Sequence, residues 1–157
     1  MSDTTSAIPD GASASGAIRS CTDGDLEAVV ELWRVAGLTR PWNDARADFM
    51  RKRAVQPEMF LVHVDANVVV GTVMAGYDGH RGWLYYLATD PARRGEGIAR
   101  GLISEAERLL TELGCPKVQL MVRPDNAEVV AFYDALGYEE GDILLLGKRT
   151  ISDVPDA

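Results

Sequence analysis

The residues best suited to chemistry lie in a short turn, Arg93-Arg94-Gly95-Glu96-Gly97. It follows an aromatic and apolar run, Trp83-Leu84-Tyr85-Tyr86-Leu87, which Asp90 and Pro91 stop. Such a composition is that of a β-strand. Beyond the turn, Ile98, Leu102, Ile103, Leu109, Leu110 and Leu113 fall mostly on three- and four-residue steps, the pattern of one buried helical face. A strand, a glycine turn and a helix N-terminus together suit an anion. The first helical turn has unpaired N–H groups and the positive end of the helix dipole, and glycines let the backbone close around a phosphate with no Cβ in the way. Two phosphate motifs are excluded. A P-loop needs Lys-Ser or Lys-Thr after its last glycine, and none follows here. The dinucleotide fingerprint G-x-G-x-x-G fails because Gly95-Glu96-Gly97-Ile98-Ala99-Arg100 ends on arginine and lies far from the chain start. What remains, Arg94-x-x-Gly97-x-Ala99, is either an anion cradle or an ordinary strand-to-helix turn with solvated arginines.

The elements that must position this turn are legible in order. Residues 1–16 are small and polar with little to bury and predict a disordered tail. Residues 17–21 predict a first strand. Thr22-x-x-Asp25 resembles a capping box with Asp in place of Glu. Leu26, Val29, Val30 and Trp33 then give one apolar helix face, ended by Gly37. Arg40-Pro41-Trp42-Asn43-Asp44 predicts a loop, with Asn43 as the cap of a second helix running to about Val55. Its Arg51-Lys52-Arg53 run predicts a solvated face. Residues 59–64 and 68–77 predict two strands around an Asp65-Ala66-Asn67 turn, and 83–89 a fourth. Gly114 predicts the cap of the long helix, 117–122 a fifth strand, and Pro124-Asp125-Asn126 the start of a helix through Leu136. Two last strands are predicted around 138–140 and 143–148, and residues 152–157 form a polar tail. The order β-α-α-β-β-β-α-β-α-β-β implies an α/β (α+β) fold. It is a mixed, mostly antiparallel sheet with helices on both faces.

With 157 residues the chain predicts a single domain with a real hydrophobic core. No apolar run approaches the roughly 18 residues that span a bilayer, and no secretory signal pattern is visible, so the cytoplasm is the expected location. A net charge of −8 disfavours general nucleic-acid binding and favours a cationic partner such as an amine. Cys21 and Cys115 predict reduced, buried thiols. With His63 and His80 as its only histidines and no cysteine cluster, the chain does not suit a zinc site, and no metal is expected.

Arg94-x-x-Gly97-x-Ala99 resembles the R/Q-x-x-G-x-G/A motif of the GNAT superfamily of N-acetyltransferases. A second segment, Asn126-Ala-Glu-Val-Val-Ala-Phe132-Tyr133-Asp-Ala-Leu-Gly137-Tyr138, resembles that family's N-x-x-A/V-x-x-x-Y/F-Y-x-x-x-G-F/Y stretch. The likeness covers residues 17–151 as a single acetyltransferase domain. Arg40-Pro-Trp-Asn-Asp and Gly76-Tyr-Asp-Gly-His-Arg-Gly82 are similar to the small bacterial YpeA-like branch.

The resemblance implies an enzyme that moves the acetyl group of acetyl coenzyme A directly to an amine of a small molecule or protein. The alternative it leaves is a non-catalytic acyl-coenzyme A-binding sensor or interaction module. The resemblance lays the pantetheine along the fourth strand at Leu87, Ala88 and Thr89, with the Leu87 N–H facing the thioester oxygen. The N–H groups of Arg94, Gly95, Glu96, Gly97, Ile98 and Ala99 would hold the pyrophosphate. Arg94, Arg93 or Arg100 would add charge-assisted bonds. Asn126 would bond the pantetheine arm. Tyr133, two helical turns on, would protonate the departing thiolate, unless it is a packing aromatic like Phe132. Asp78, His80 and Tyr85 are the candidate bases, histidine being the side-chain type that titrates near neutrality. Arg40, Trp42, Asp78, Arg81 and Tyr85 would line the acceptor pocket, with Trp42 read equally as a hydrophobic plug. A homodimer is compatible with such a fold; no membrane or nucleic-acid partner is expected.

Overall fold

The structure, a computed structural model, describes residues 14–155. Its elements run β1 (Ala17–Ser20), α1 (Leu26–Val35), α2 (Ala45–Ala54), β2 (Phe60–Asp65), β3 (Val68–Tyr77), β4 (Gly82–Thr89), α3 (Ile98–Glu112), β5 (Val118–Gln119) and α4 (Ala127–Ala135). One five-stranded sheet has the order β1-β2-β3-β4-β5. The first three pairings are antiparallel and β4 meets β5 in parallel. This is the mixed, mostly antiparallel sheet that the sequence order implies.

Side-chain alternation along β2 and β3 explains the two cores. Leu61, Val73 and Ala75 face α3 with Leu102, Ile103, Ala106 and Leu110. Phe60, Val62 and Met74 face α1 and α2 with Val29, Trp33 and Phe49. At Gly71 a Cβ would come within 2.5 Å of Ile98 Cγ2, so the glycine lets the start of α3 settle directly on β3. That contact fixes where the Arg93–Gly97 turn ends.

Several sequence expectations change. The strands predicted around 138–140 and 143–148 do not form: residues 138–155 hold no helix or strand, and Ile143, Leu144, Leu145 and Leu146 are 71–90% exposed. The edge they would extend is β5, which is only two residues long where 117–122 was predicted, and strands need a ladder to join. The tail predicted over 1–16 lies outside the described residues up to residue 13. Ser15, by contrast, is tied to β2, where its hydroxyl donates to Asp65 at 2.9 Å. Asp44, not Asn43, caps α2, accepting from Ala47 N–H at 3.1 Å. The Arg51-Lys52-Arg53 run is not a free solvated face. Lys52 donates to the Ala75 carbonyl, Arg53 to Asp23 and the Cys21 carbonyl, and Arg51 pairs with Asp48 and Asp153. Of the two thiols, Cys21 is buried and Cys115 half-buried; both are free. Among the described residues no helix is long and apolar enough to cross a membrane, and no group of His, Cys, Asp and Glu is gathered for a metal.

Candidate active site

The site begins with a fault in the ladder. Met74 pairs with Tyr85 and Thr72 with Ala88, so Tyr86 and Leu87 together face Val73 alone. That is a β-bulge, and Tyr86 takes φ +50° to make it. The bulge reverses which backbone groups point outward. Gly82 N–H donates away from β3, to the Lys117 carbonyl at 2.9 Å, whereas Asp90 N–H donates toward β3, to the Val70 carbonyl at 2.9 Å. Both positions are even. Without the extra residue their N–H groups would point the same way. Counting back from Asp90, the N–H groups of Thr89 and Leu87 face the side away from β3. There β4 has no partner, because β5 pairs only with Gly82 and Trp83. The result is an open sheet edge ready to take an extended molecule. Ala88 is buried and its backbone N–H faces β3, so the edge is offered by Leu87 and Thr89.

This edge runs into the glycine turn. Gly95 and Gly97 have φ +81° and +82°, and a Cβ at either would point into empty space. Gly97 is the N-cap of α3, and the first helical bond is Gly101 N–H to the Gly97 carbonyl at 3.0 Å. The N–H groups of Ile98, Ala99 and Arg100 therefore have no carbonyl within the helix. They open on a cleft of about 370 Å³ lined by Thr89, the turn residues except Glu96, Ile98, Ala99, Arg100 and Phe132. Arg94 and Arg100 line it and form no salt bridge among the described residues. Arg93 is committed elsewhere, to Glu96 and to Asp65, each at 2.8 Å. It clamps the turn to the end of β2, and it neutralises Glu96 beside the cradle.

Tyr133 is 8% exposed and packs edge-on between Phe132 and Tyr138. Burial pushes its phenol up to about 12, so it holds its proton at any ordinary pH. Its hydroxyl makes no hydrogen bond among the described residues. The one buried side-chain polar atom left unpaired there is His63 Nδ1, so the Tyr133 hydroxyl keeps contact with the surface. Asn126 lies on the exposed part of the same helix and caps it, accepting from Val129 N–H at 3.3 Å. Its amide nitrogen is left free for a ligand. The helical spacing predicts the two side chains near one face, but burial separates them.

The candidate acceptor residues are not gathered in one place. Asp78, His80 and Arg81 form the β3–β4 hairpin tip, at the opposite end of β4 from the cradle. Asp78 Oδ1 accepts from the backbone N–H of Arg81 and His80 at 2.7 and 2.8 Å, and Oδ2 from Trp83 Nε1 at 3.2 Å. Those backbone bonds, with the Trp83 bond, hold the carboxyl below its usual range, which makes it a weak base. His80 is exposed. Arg40 is folded back onto the Gly37 and Thr39 carbonyls. Trp42 is 50% exposed, so it is not a plug.

Tyr85 instead lines a second cleft of about 310 Å³ beside the bulge, with Met74, Val55, Lys52, Arg51, Asp48 and Tyr86. Burial works to raise the Asp48 carboxyl, and bonds from Tyr86, Asn43 and Arg51 outweigh it and leave it lowered. Sequence reasoning missed Phe132, Tyr86 and Asp48. No local signal marked them, since the run from Trp83 to Leu87 is apolar or aromatic throughout.

Known proteins share this architecture. An acetyltransferase of Pectobacterium atrosepticum is 50% identical over 136 residues, 87% of this chain and 96% of that one. The ribosomal-protein-S18-alanine N-acetyltransferase of Escherichia coli superposes with a TM-score of 0.69 at 22% identity, over 80% of this chain and 79% of that one. An aminoglycoside N-acetyltransferase solved in complex with CoA superposes with a TM-score of 0.69 at 20% identity, over 92% of this chain and all of that one. The sequence pattern of the Acetyltransferase (GNAT) family matches residues 26–138, and the chain belongs to that family as an acetyltransferase.

Proposed function

We propose that the protein is an N-acetyltransferase of the YpeA-like branch, moving the acetyl group of acetyl coenzyme A directly to an amine of a small molecule or protein. The observation that carries this reading is the unpaired edge of β4 beyond Trp83, bulged at Tyr86 and leading into the Gly95–Gly97 cradle. The pantetheine pairs with that edge at Leu87 to Thr89. The pyrophosphate sits on the N–H groups between Arg94 and Ala99, with Arg94 and Arg100 supplying charge. The Leu87 N–H faces the thioester oxygen as negative charge develops there. A neutral amine attacks the carbonyl carbon, the C–N bond forms and the C–S bond breaks. Tyr133 gives its proton to the sulfur. The proton the amine loses passes to solvent, from which the exposed His80 at the hairpin tip can take it. The acceptor enters through the cleft at Tyr85, with Asp78 holding the hairpin tip in shape. Amine acetylation by the S18-alanine and aminoglycoside enzymes supports this chemistry. The Arg40–Asp44 and Gly76–Gly82 segments support the branch. A protein that only senses acyl-coenzyme A has no use for a proton donor such as Tyr133.

The test is cofactor-induced stabilisation. Acetyl coenzyme A should raise the melting temperature, because a ligand bound only by the folded state stabilises it by mass action. Gly97→Glu should abolish the shift by placing bulk and negative charge in the cradle. A folded Gly97→Glu protein that binds normally would remove the pyrophosphate from this turn.

A further inference from the structure

Tyr86 is a non-glycine residue at φ +50° in the middle of a strand, and such a conformation persists only where its surroundings over-determine it. The surroundings are specific. Thr72 is completely buried, and its hydroxyl donates to the Tyr86 carbonyl at 2.9 Å. The same oxygen accepts Trp33 Nε1–H at 2.9 Å, a buried contact between α1 and β3. The Trp33 ring stacks on the Tyr86 ring, with centroids 3.9 Å apart and planes 22° from parallel. At the far end of that ring the hydroxyl donates to Asp48 at 2.6 Å. A valine would fill the space of Thr72 without a polar atom to satisfy. Both polar functions of the threonine, donor and acceptor, are spent on the bulge and on the indole that stacks against it.

We propose that Thr72 and Trp33 form a tether from α1 through β3 that locks the Tyr86 bulge and thereby aims the Leu87 N–H at the open edge. Neither residue reaches the substrate; both are positioning residues. The catalytic consequence rests on the acetyl-transfer reading above, whereas the locking of the bulge does not. Phase along the strand is what the lock controls. If Tyr86 relaxes to an ordinary extended conformation, the extra residue is lost from the ladder and the Leu87 N–H turns back toward β3.

The experiment compares Thr72→Val, Thr72→Ser and Trp33→Phe. Three quantities are measured: exchange of the Ala88 amide, which faces β3 beside the bulge, in ligand-free protein; acetyl coenzyme A affinity; and turnover with an amine that the wild type acetylates. Thr72→Val should speed Ala88 exchange while the amides of α3 stay protected. It should also lower turnover about tenfold or more, short of the roughly 10²–10³-fold cost of losing an oxyanion donor outright. Affinity should change much less. Thr72→Ser should restore both exchange and turnover. Trp33→Phe keeps an aromatic ring against Tyr86 and removes the donor together with part of the indole's volume; it should give a weaker version of the same pattern, which also covers the case of a Thr72→Val chain that fails to fold. Unchanged exchange in the variants overturns the tether. Faster exchange throughout the protein with wild-type turnover reduces it to core packing and overturns the positioning role, as does equal slowing by Ser and Val. Should Ala88 respond while the wild type acetylates no amine, the acetyl-transfer reading falls, and the catalytic consequence with it; the lock itself stands.

Discussion

At the scale of single residues, Tyr133 carries the sharpest expectation. A free phenol near 10 facing a thiol reference near 8.5 makes proton donation a mildly uphill step. Burial raises Tyr133 to about 12 and widens that gap. The same burial raises a thiol at the same place, so the mismatch at the reacting atoms is smaller than the two values suggest. Tyr133→Phe keeps the ring between Phe132 and Tyr138 and removes only the hydroxyl. Turnover should fall about 10²–10⁴-fold with cofactor affinity and melting temperature little changed. Tyr133→Ala should in addition destabilise the fold by about 3–5 kcal/mol, the cost of emptying an aromatic site. Steady-state kinetics and thermal melts on the two variants check both halves, and a Phe variant with wild-type turnover would leave Tyr133 as packing only. The residue was legible because it stands in a recognisable segment. Its depth was not, because helical spacing gives the face and not what covers it.

Among the elements, the Thr22–Asp25 turn that leads into α1 gives a pH-dependent test. Arg19 donates to both Asp25 oxygens at 2.7 and 3.0 Å, and the Thr22 backbone N–H adds a bond at 2.8 Å. The Arg19 bonds are the main reason the carboxyl titrates at about 2. Its unfolded value is near 3.9. A depressed carboxyl stabilises the fold fully above the unfolded value and loses that contribution as pH falls through the folded one. Asp25→Asn should therefore cost about 1–2 kcal/mol at pH 7 in urea melts, with the difference from wild type closing between about pH 4 and pH 2. At the β3–β4 hairpin, Asp78→Asn keeps one acceptor for the backbone and weakens the hold on Trp83. The Michaelis constant for the amine should rise more than that for acetyl coenzyme A, and an equal effect on both would take the tip out of the acceptor path. Strands β1 to β4 and all four helices were legible because periodicity and caps are local. The last two strands were not. The Ile143–Leu146 run has the right composition, but composition does not say whether a ladder exists to receive it, and β5 ends at Gln119. The bulge was invisible for the same reason, since register is a property of two strands.

Taken whole, the molecule places two clefts along one strand. The glycine turn stands at the C-terminal end of β4, the hairpin tip at its N-terminal end, and the bulge with its outward N–H between them. The sheet is covered on both faces, so the path open to an extended thioester is the edge that β5 leaves bare. A net charge of −8 fits the amine proposed as second substrate, and Arg94 and Arg100 stand against it beside the turn with no salt-bridge partner among the described residues. The measurement that bears most directly on the account is release of free coenzyme A, followed by thiol detection, when the purified protein is given acetyl coenzyme A and a panel of small amines and amine-bearing peptides. At least one amine should accelerate thiol release well above the amine-free background, with one acetylated amine formed per thiol, and Tyr133→Phe should suppress it. A protein that binds acetyl coenzyme A yet releases no thiol with any amine across the panel would contradict direct acetyl transfer and leave the groove as a binding site alone.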